Sequence, residues 1–271
     1  MIRFIDEHPG AGGRLGRHVE HDPRSRAYAL SEDLLPGVYS SVTHAVHIPV
    51  LDQGDLGSCT GNAAEALAGT DPLYNAIPAA TAARPTGDAS LDEQQAVALY
   101  SAATRLDSIR GVYPPTDTGS TGLAVAKAAQ RAGLISGYQH ALSLDAALKA
   151  LSVTPLIVGV NWYEGFDNPN SAGLVSISGS VRGGHEFLLY GIDAAAQTVL
   201  ARNSWGSSWG AGGSFSFSFD DLGRLLDEQG DATVFAPLSS PAPVPTPVPT
   251  PADVDQALAV AVRSWLAAKA L

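Results

Sequence analysis

From Cys59 to Leu238 the hydrophobic pattern of this chain changes period once, near Pro155, and that change constrains the fold more than any other feature. Before it, apolar residues recur at helical spacing. A buried helix is expected from Cys59 through Thr60-Gly-Asn-Ala-Ala-Glu-Ala-Leu-Ala. A second, from Ser90 to Leu106, is expected to open on a capping box with Ser90 as N-cap and Glu93 reaching back. Others are expected from Leu123 to Ala132 and from Ser143 to Leu151. After Pro155, Leu156-Ile-Val-Gly-Val160 is a continuous apolar run suited to a strand buried on both faces. Strands are expected to follow at Gly173–Gly179, Phe187–Ile192, Val199–Asn203 and Gly213–Phe219. Helices first and strands later predict an α+β fold in two halves. Upstream, Val42 to Leu51, with Val46, Ile48 and Val50 alternating, reads as the opening strand. Residues 71–87 and 114–122 read as loops.

The ends differ in composition from this body. Past Leu238, proline falls at every second position up to Pro251, which excludes a helix or a central strand. Residues 239–252 therefore read as a semi-rigid linker. Residues 253–271 resume helical periodicity, with Val254, Leu258, Val262 and Leu266 on one face. Either this helix packs back on the domain or it docks another protein. Residues 1–45 read as an ordered lead-in over the domain surface, with an inhibitory segment lying in a cleft as the alternative. Residues 46–238 form the expected domain.

The 271 residues carry a formal net charge of −11 and are 45% hydrophobic. There is material for a large core, and the negative balance argues against a nucleic-acid or anionic-membrane partner. No apolar run approaches the roughly 18 residues of a membrane span, and no signal peptide is recognisable. A single cysteine excludes an intrachain disulfide and points to a reducing compartment or a particle assembled in one, so a cytoplasmic or virion-associated location is expected. The excess of arginine over lysine, with abundant Ala, Gly and Pro, fits a GC-rich bacterial or phage genome.

That cysteine sits in Gln53-Gly-Asp-Leu-Gly-Ser-Cys59, at the head of a helix. A lone cysteine is more often a small buried hydrophobe than a nucleophile. A helix N-terminus, however, lowers a thiol pKa and favours the thiolate, and Gln53 offers a side-chain N–H beside it. A cysteine nucleophile needs a base, and the base an orienting group. His185, in Gly183-Gly-His-Glu-Phe-Leu-Leu-Tyr-Gly191, supplies the first. Asn203, in Asn203-Ser-Trp-Gly-Ser-Ser-Trp-Gly210, can accept from the imidazole and fix its tautomer.

These three motifs in this order resemble the papain family of cysteine peptidases. The resemblance spans roughly residues 46–235 and implies a two-subdomain fold, helical half against antiparallel β half, with the site in the cleft between them. It implies Cys59 as nucleophile, His185 as base, Asn203 as orienting amide, Gln53 and the Cys59 N–H as oxyanion donors, and Trp205 as the indole over the His–Asn pair. Gly119, Ser120 and Gly184 are candidates for pairing with an extended substrate. No cofactor or metal is implied; the partner is a peptide or protein substrate. Glu186 and Thr60 depart from the family, which has a small residue and an aromatic there. Strand alternation predicts that Glu186 points away from Cys59. The readings that compete with a peptidase are a non-catalytic binding module and an acyl transferase working through the same acyl-enzyme.

Overall fold

The computed structural model describes residues 2–20, 22–31 and 35–238. The linker and C-terminal helix expected at 239–271 lie outside the described residues. In chain order the elements are β1 (Ile2–Arg3), β2 (Val19–Glu20), β3 (Val42–Thr43), α1 (Cys59–Ala68), α2 (Leu73–Ala76), α3 (Ala89–Ala103), α4 (Gly122–Arg131), β4 (Gly137–His140), α5 (Leu144–Leu151), β5 (Leu156–Tyr163), β6 (Val181–Asp193), β7 (Thr198–Arg202), β8 (Ser214–Ser218), α6 (Phe219–Asp227) and β9 (Asp231–Ala236). The order β4-β9-β5-β6-β7-β8, all antiparallel, makes the main sheet, with β3 adding to β6. The architecture is α+β, as the period change requires.

Burial explains the continuous apolar run of β5, all eight residues of which are buried. Leu156, Val158 and Val160 face a core with Trp162, Phe187, Phe215 and Phe217. Ile157 and Leu188 face the opposite core, built on Leu67, Ala96, Leu123 and Val125 of the helical half. Both faces of the sheet centre are thus withdrawn from water, and neither can carry the alternating polar residues of a half-exposed strand. α1 packs against α3, α4 and β6 and joins the halves.

Three local expectations are corrected. Helix α3 is capped by Asp88, not Ser90: the Asp88 carboxylate accepts from the N–H groups of Ser90 and Leu91. Glu93 turns the other way and accepts from Asn62 Nδ2 at 2.7 Å and Asp52 N at 2.9 Å. The opening strand is reduced to Val42–Thr43; Pro49 removes a ladder donor, and the bonds that follow scatter, with His47 N–H donating to Gly69 O at the end of α1 and Leu51 O accepting from Gly206 N–H. Gly173–Gly179 is not a strand but a looped segment, whose Val175 N–H bonds Ser216 O while Asn170 closes the turn before it. Among the described residues no helix is long and apolar enough to cross a membrane.

Candidate active site

Cys59 is the first residue of α1, and the first backbone bond of that helix runs from Asn62 N–H to Ser58 O. The N–H groups of residues 59–61 therefore have no partner within the helix. The loop before it is held on several sides. Gln53 N–H bonds Ser204 O, and Gln53 Oε1 accepts from Ser204 Oγ at 2.6 Å. Gln53 Nε2 spends one hydrogen on Leu56 O at 2.8 Å, which leaves its second for another acceptor. Ser58 Oγ reaches Asn62 Oδ1, and Gly57 N–H bonds Asp117, which also accepts from Tyr100.

His185 and Asn203 come from β6 and the end of β7. Asn203 Oδ1 lies 2.7 Å from His185 Nε2 and accepts from the Ser204 N–H at 2.8 Å. The second bond identifies Oδ1 as the oxygen, so Nε2 of the imidazole is the donor. Nδ1 is then the lone-pair nitrogen, and it is buried with no hydrogen-bond partner. The ring packs against Trp205, 5.1 Å between centroids, and edge-on to Trp162 at 4.8 Å. Trp162 is a neighbour that sequence reasoning missed; it pairs with Gly183 in the β5–β6 ladder, two residues before the histidine and on the same face. The backbone amide of Glu186, the residue after His185, faces the Cys59 thiol and opposes the rise in its pKa. Positions 53, 59, 185 and 203 are thus tied together through Ser204, the Glu186 amide and the His–Asn bond.

Residues 8–18 of the lead-in cross this site. His8 N–H bonds Arg182 O, and Trp205 Nε1 donates to Arg14 O at 3.0 Å. Gly16 and Arg17 both donate to Gly184 O, Ser120 N–H donates to Gly16 O, and His18 N–H donates to Ser120 O. Ser120 and Gly184 therefore do pair with an extended backbone, that of residues 16–18. Gly119 bonds Tyr100 instead through its N–H, but a Cβ there would collide with Gly16 O. Gly16 lies so close to the Gly57 backbone that a Cβ on it would do the same. Leu15, Arg17 and Val19 alternate inward and are buried, and β2 closes the segment back on β1.

This covering sets the electrostatics. Burial pushes the Cys59 thiol up to about 12, and the Glu186 carboxylate adds to the rise. The lowered thiol expected from the helix terminus is corrected on that ground: desolvation outweighs the dipole. Burial likewise holds His185 down at about 3, against the opposing effect of the hydrogen bond it donates to Asn203. Both groups are neutral over the whole ordinary pH range. Glu186 is turned to the face opposite the imidazole, as alternation requires, on the side of α4 and Arg17, where burial and then Asp231 raise its carboxyl well above the ordinary value.

No family model matches the sequence, and no match to a curated protein is found. Solved structures are similar in fold. Xylellain, a cysteine protease from Xylella fastidiosa, superposes with a TM-score of 0.59 at 18% identity, over 86% of this chain and 98% of that one. Procathepsin B S9 from Trypanosoma congolense gives 0.58 at 10% identity, over 83% and 87%. With its helical half, its antiparallel half and its single free cysteine, the chain has the fold of the papain-like cysteine proteases.

Proposed function

We propose that this chain is a cysteine endopeptidase held latent by its own N-terminal segment, with residues 46–238 as the peptidase unit and residues 1–45 as a pro-like segment. The observation that carries the reading is the His185–Asn203 hydrogen bond, which leaves Nδ1 as the lone-pair nitrogen on a strand whose next amide acts on the Cys59 thiol. In the mechanism, Cys59 Sγ gives its proton to His185 Nδ1 and forms a C–S bond with the substrate carbonyl carbon. The carbonyl oxygen takes the negative charge and accepts from the Cys59 N–H and the second N–H of Gln53 Nε2. As the tetrahedral intermediate collapses, the C–N bond breaks and His185 passes its proton to the leaving amine. Water, deprotonated by His185, then hydrolyses the thioester and restores the thiol. Asn203 holds the ring throughout, and Trp205 covers the bond that does so.

Endopeptidase action is supported by the lead-in itself, which continues on both sides of Cys59, along Trp205 on one flank and Ser120 on the other. A groove that accommodates chain on both sides does not require a substrate terminus. The test is turnover of a quenched fluorescent peptide library by the full chain and by Gly16→Ala, a change that puts a methyl into the Gly57 backbone and should unseat the segment. Gly16→Ala is expected to be active, and adding Cys59→Ser or His185→Ala should abolish turnover. Wild-type turnover after Cys59→Ser would overturn the reading.

A further inference from the structure

Two buried backbone amides on the helical side of the groove lead to one side chain. Gly57, two residues before Cys59, and Gly119, next to Ser120, are both out of water, so each N–H needs an acceptor inside the protein. Gly57 N–H donates to Asp117 Oδ2 at 3.0 Å. Gly119 N–H donates to the Tyr100 hydroxyl at 3.0 Å, and that hydroxyl donates to Asp117 Oδ1 at 2.6 Å. Tyr100 is fully buried in α3, which fixes where its hydroxyl stands. One carboxylate thus joins the loop before the nucleophile, α3 and the loop that pairs with an extended backbone.

Holding the lead-in does not account for this residue. Arg14 reaches Asp117 Oδ2 at 3.2 Å, but it also pairs with Glu7 of its own segment. The Arg14 and Asp117 side chains are 34% and 25% exposed, a setting in which an ion pair contributes little. The bonds to Gly57 and Tyr100 do not involve the lead-in at all. They also call for an ionised acid. A carboxamide offers one oxygen where these two donors meet two, and a carboxylate makes both bonds charge-assisted. Burial works against the charge, yet the bonds from Tyr100 and Gly57, with Arg14, hold the carboxyl below its ordinary value.

The separation of the two loops matters to the chemistry. Gly57 directs the chain into Cys59, whose N–H is an oxyanion donor in the mechanism above. Ser120 N–H donates to Gly16 O, and Ser120 O accepts from His18 N–H; an extended substrate would take the same two bonds. The carbonyl under attack meets the oxyanion donor only while both loops keep their places, and a misplacement of about 1 Å can cost about 10²-fold.

We propose that Asp117 is a positioning residue for the reaction: through Gly57 and, by way of Tyr100, Gly119, it sets the Cys59 N–H against the carbonyl that Ser120 brings in. This role rests on the peptidase reading, and binding of a carbonyl inhibitor separates the two.

Full-length chains carrying Gly16→Ala are titrated with a peptide aldehyde and with the matching peptide alcohol. The aldehyde adds to the thiol: the C–S bond forms, and the sulfur's proton passes to the former carbonyl oxygen, which takes the oxyanion position. The alcohol binds the same groove with no bond formed. The parent should bind the aldehyde at least about 10²-fold more tightly. Asp117→Asn should lower that ratio about tenfold or more while leaving alcohol binding within about twofold, and in turnover it should lower kcat with KM unchanged. Tyr100→Phe, which keeps the buried ring and removes only the hydroxyl, should move the ratio the same way, and the double variant should lose no more than Asp117→Asn alone. A parent that binds both compounds alike overturns the peptidase reading and this role with it. A parent that prefers the aldehyde, with a folded Asp117→Asn or Tyr100→Phe chain keeping the full preference, overturns the role alone. Equal weakening of aldehyde and alcohol also overturns it, because a residue that only supports the fold gives that result.

Discussion

His185 Nε2 and Asn203 Oδ1 stand 2.7 Å apart, buried together under the Trp205 indole. Because Asn203 Oδ1 also accepts from Ser204 N–H, the amide cannot rotate without breaking a second bond, and the imidazole is left with a single tautomer. Asn203→Ala removes that constraint while leaving thiol, base and oxyanion donors in place. We expect peptide turnover by the Gly16→Ala chain to fall by about 10²-fold when Asn203→Ala is added, the scale of a misplaced general base. Steady-state kcat measures it; an unchanged kcat would mean that the pair is structural only.

The seated segment makes the thiol unreactive for an electrostatic reason as well as a steric one. A sulfur pushed up to about 12 is almost entirely protonated at neutral pH, and alkylation requires the thiolate. Iodoacetamide should therefore modify the full-length chain slowly at pH 7. Gly16→Ala, by readmitting water to the groove, should speed modification at least tenfold and bring the pH midpoint down. Mass spectrometry of the Cys59 peptide follows both rates, and equal rates would contradict seating of the segment over the thiol.

The buried imidazole links stability to pH. Its folded value of about 3 lies below the ordinary 6.5, so between these limits the unfolded chain binds a proton that the folded chain refuses. The contribution is complete above pH 6.5 and is lost as pH falls towards 3, at about 1.4 kcal/mol per pH unit. Urea unfolding between pH 7 and pH 4 should show a steeper loss in the full-length chain than in His185→Gln, by about 3 kcal/mol over that range. Parallel pH profiles would contradict it.

Glu65 works in the opposite sense. It is buried in α1, and burial with the charges of Asp92 and Glu93 raises its carboxyl to about 9. Stability from this group is complete below its ordinary 4.5 and is lost as pH rises through about 9. Glu65→Gln mimics the protonated carboxyl, so it should raise stability at pH 8 relative to the parent and have little effect at pH 4. Urea midpoints at the two pH values test this; a variant equally destabilised at both would refute it.

The helices and central strands were legible because their apolar periodicity is strong and their burial is two-sided, as in β5. The site residues were legible through three motifs whose order along the chain is itself informative. What escaped the sequence was less regular. β9 is only six residues long, and its alternation of Asp231 and Thr233 with Ala232 and Val234 breaks at Phe235. α6 carries a readable start, Ser218 capping Asp221 N–H with Asp220 and Asp221 in the first turn, but the strand before it runs straight into the helix and masks the change of period. The Ser90 capping box failed because Asp88, two residues earlier, offers a charged acceptor to the same turn. Above all, the path of residues 7–20 could not be read, because their pairing is with Ser120 and Gly184, far away in sequence. With it went the thiol pKa, which burial sets and a helix terminus alone does not.

The most direct test of the account is labelling of Cys59 by an epoxide such as E-64. Displacing the segment with Gly16→Ala should give one label per chain, mapped to Cys59 by tandem mass spectrometry, with labelling strongly slowed by His185→Ala and slow in the unaltered full-length chain. A Cys59 that stays unlabelled after the segment is displaced, or that labels equally fast without His185, would contradict a thiol and base acting together across this groove.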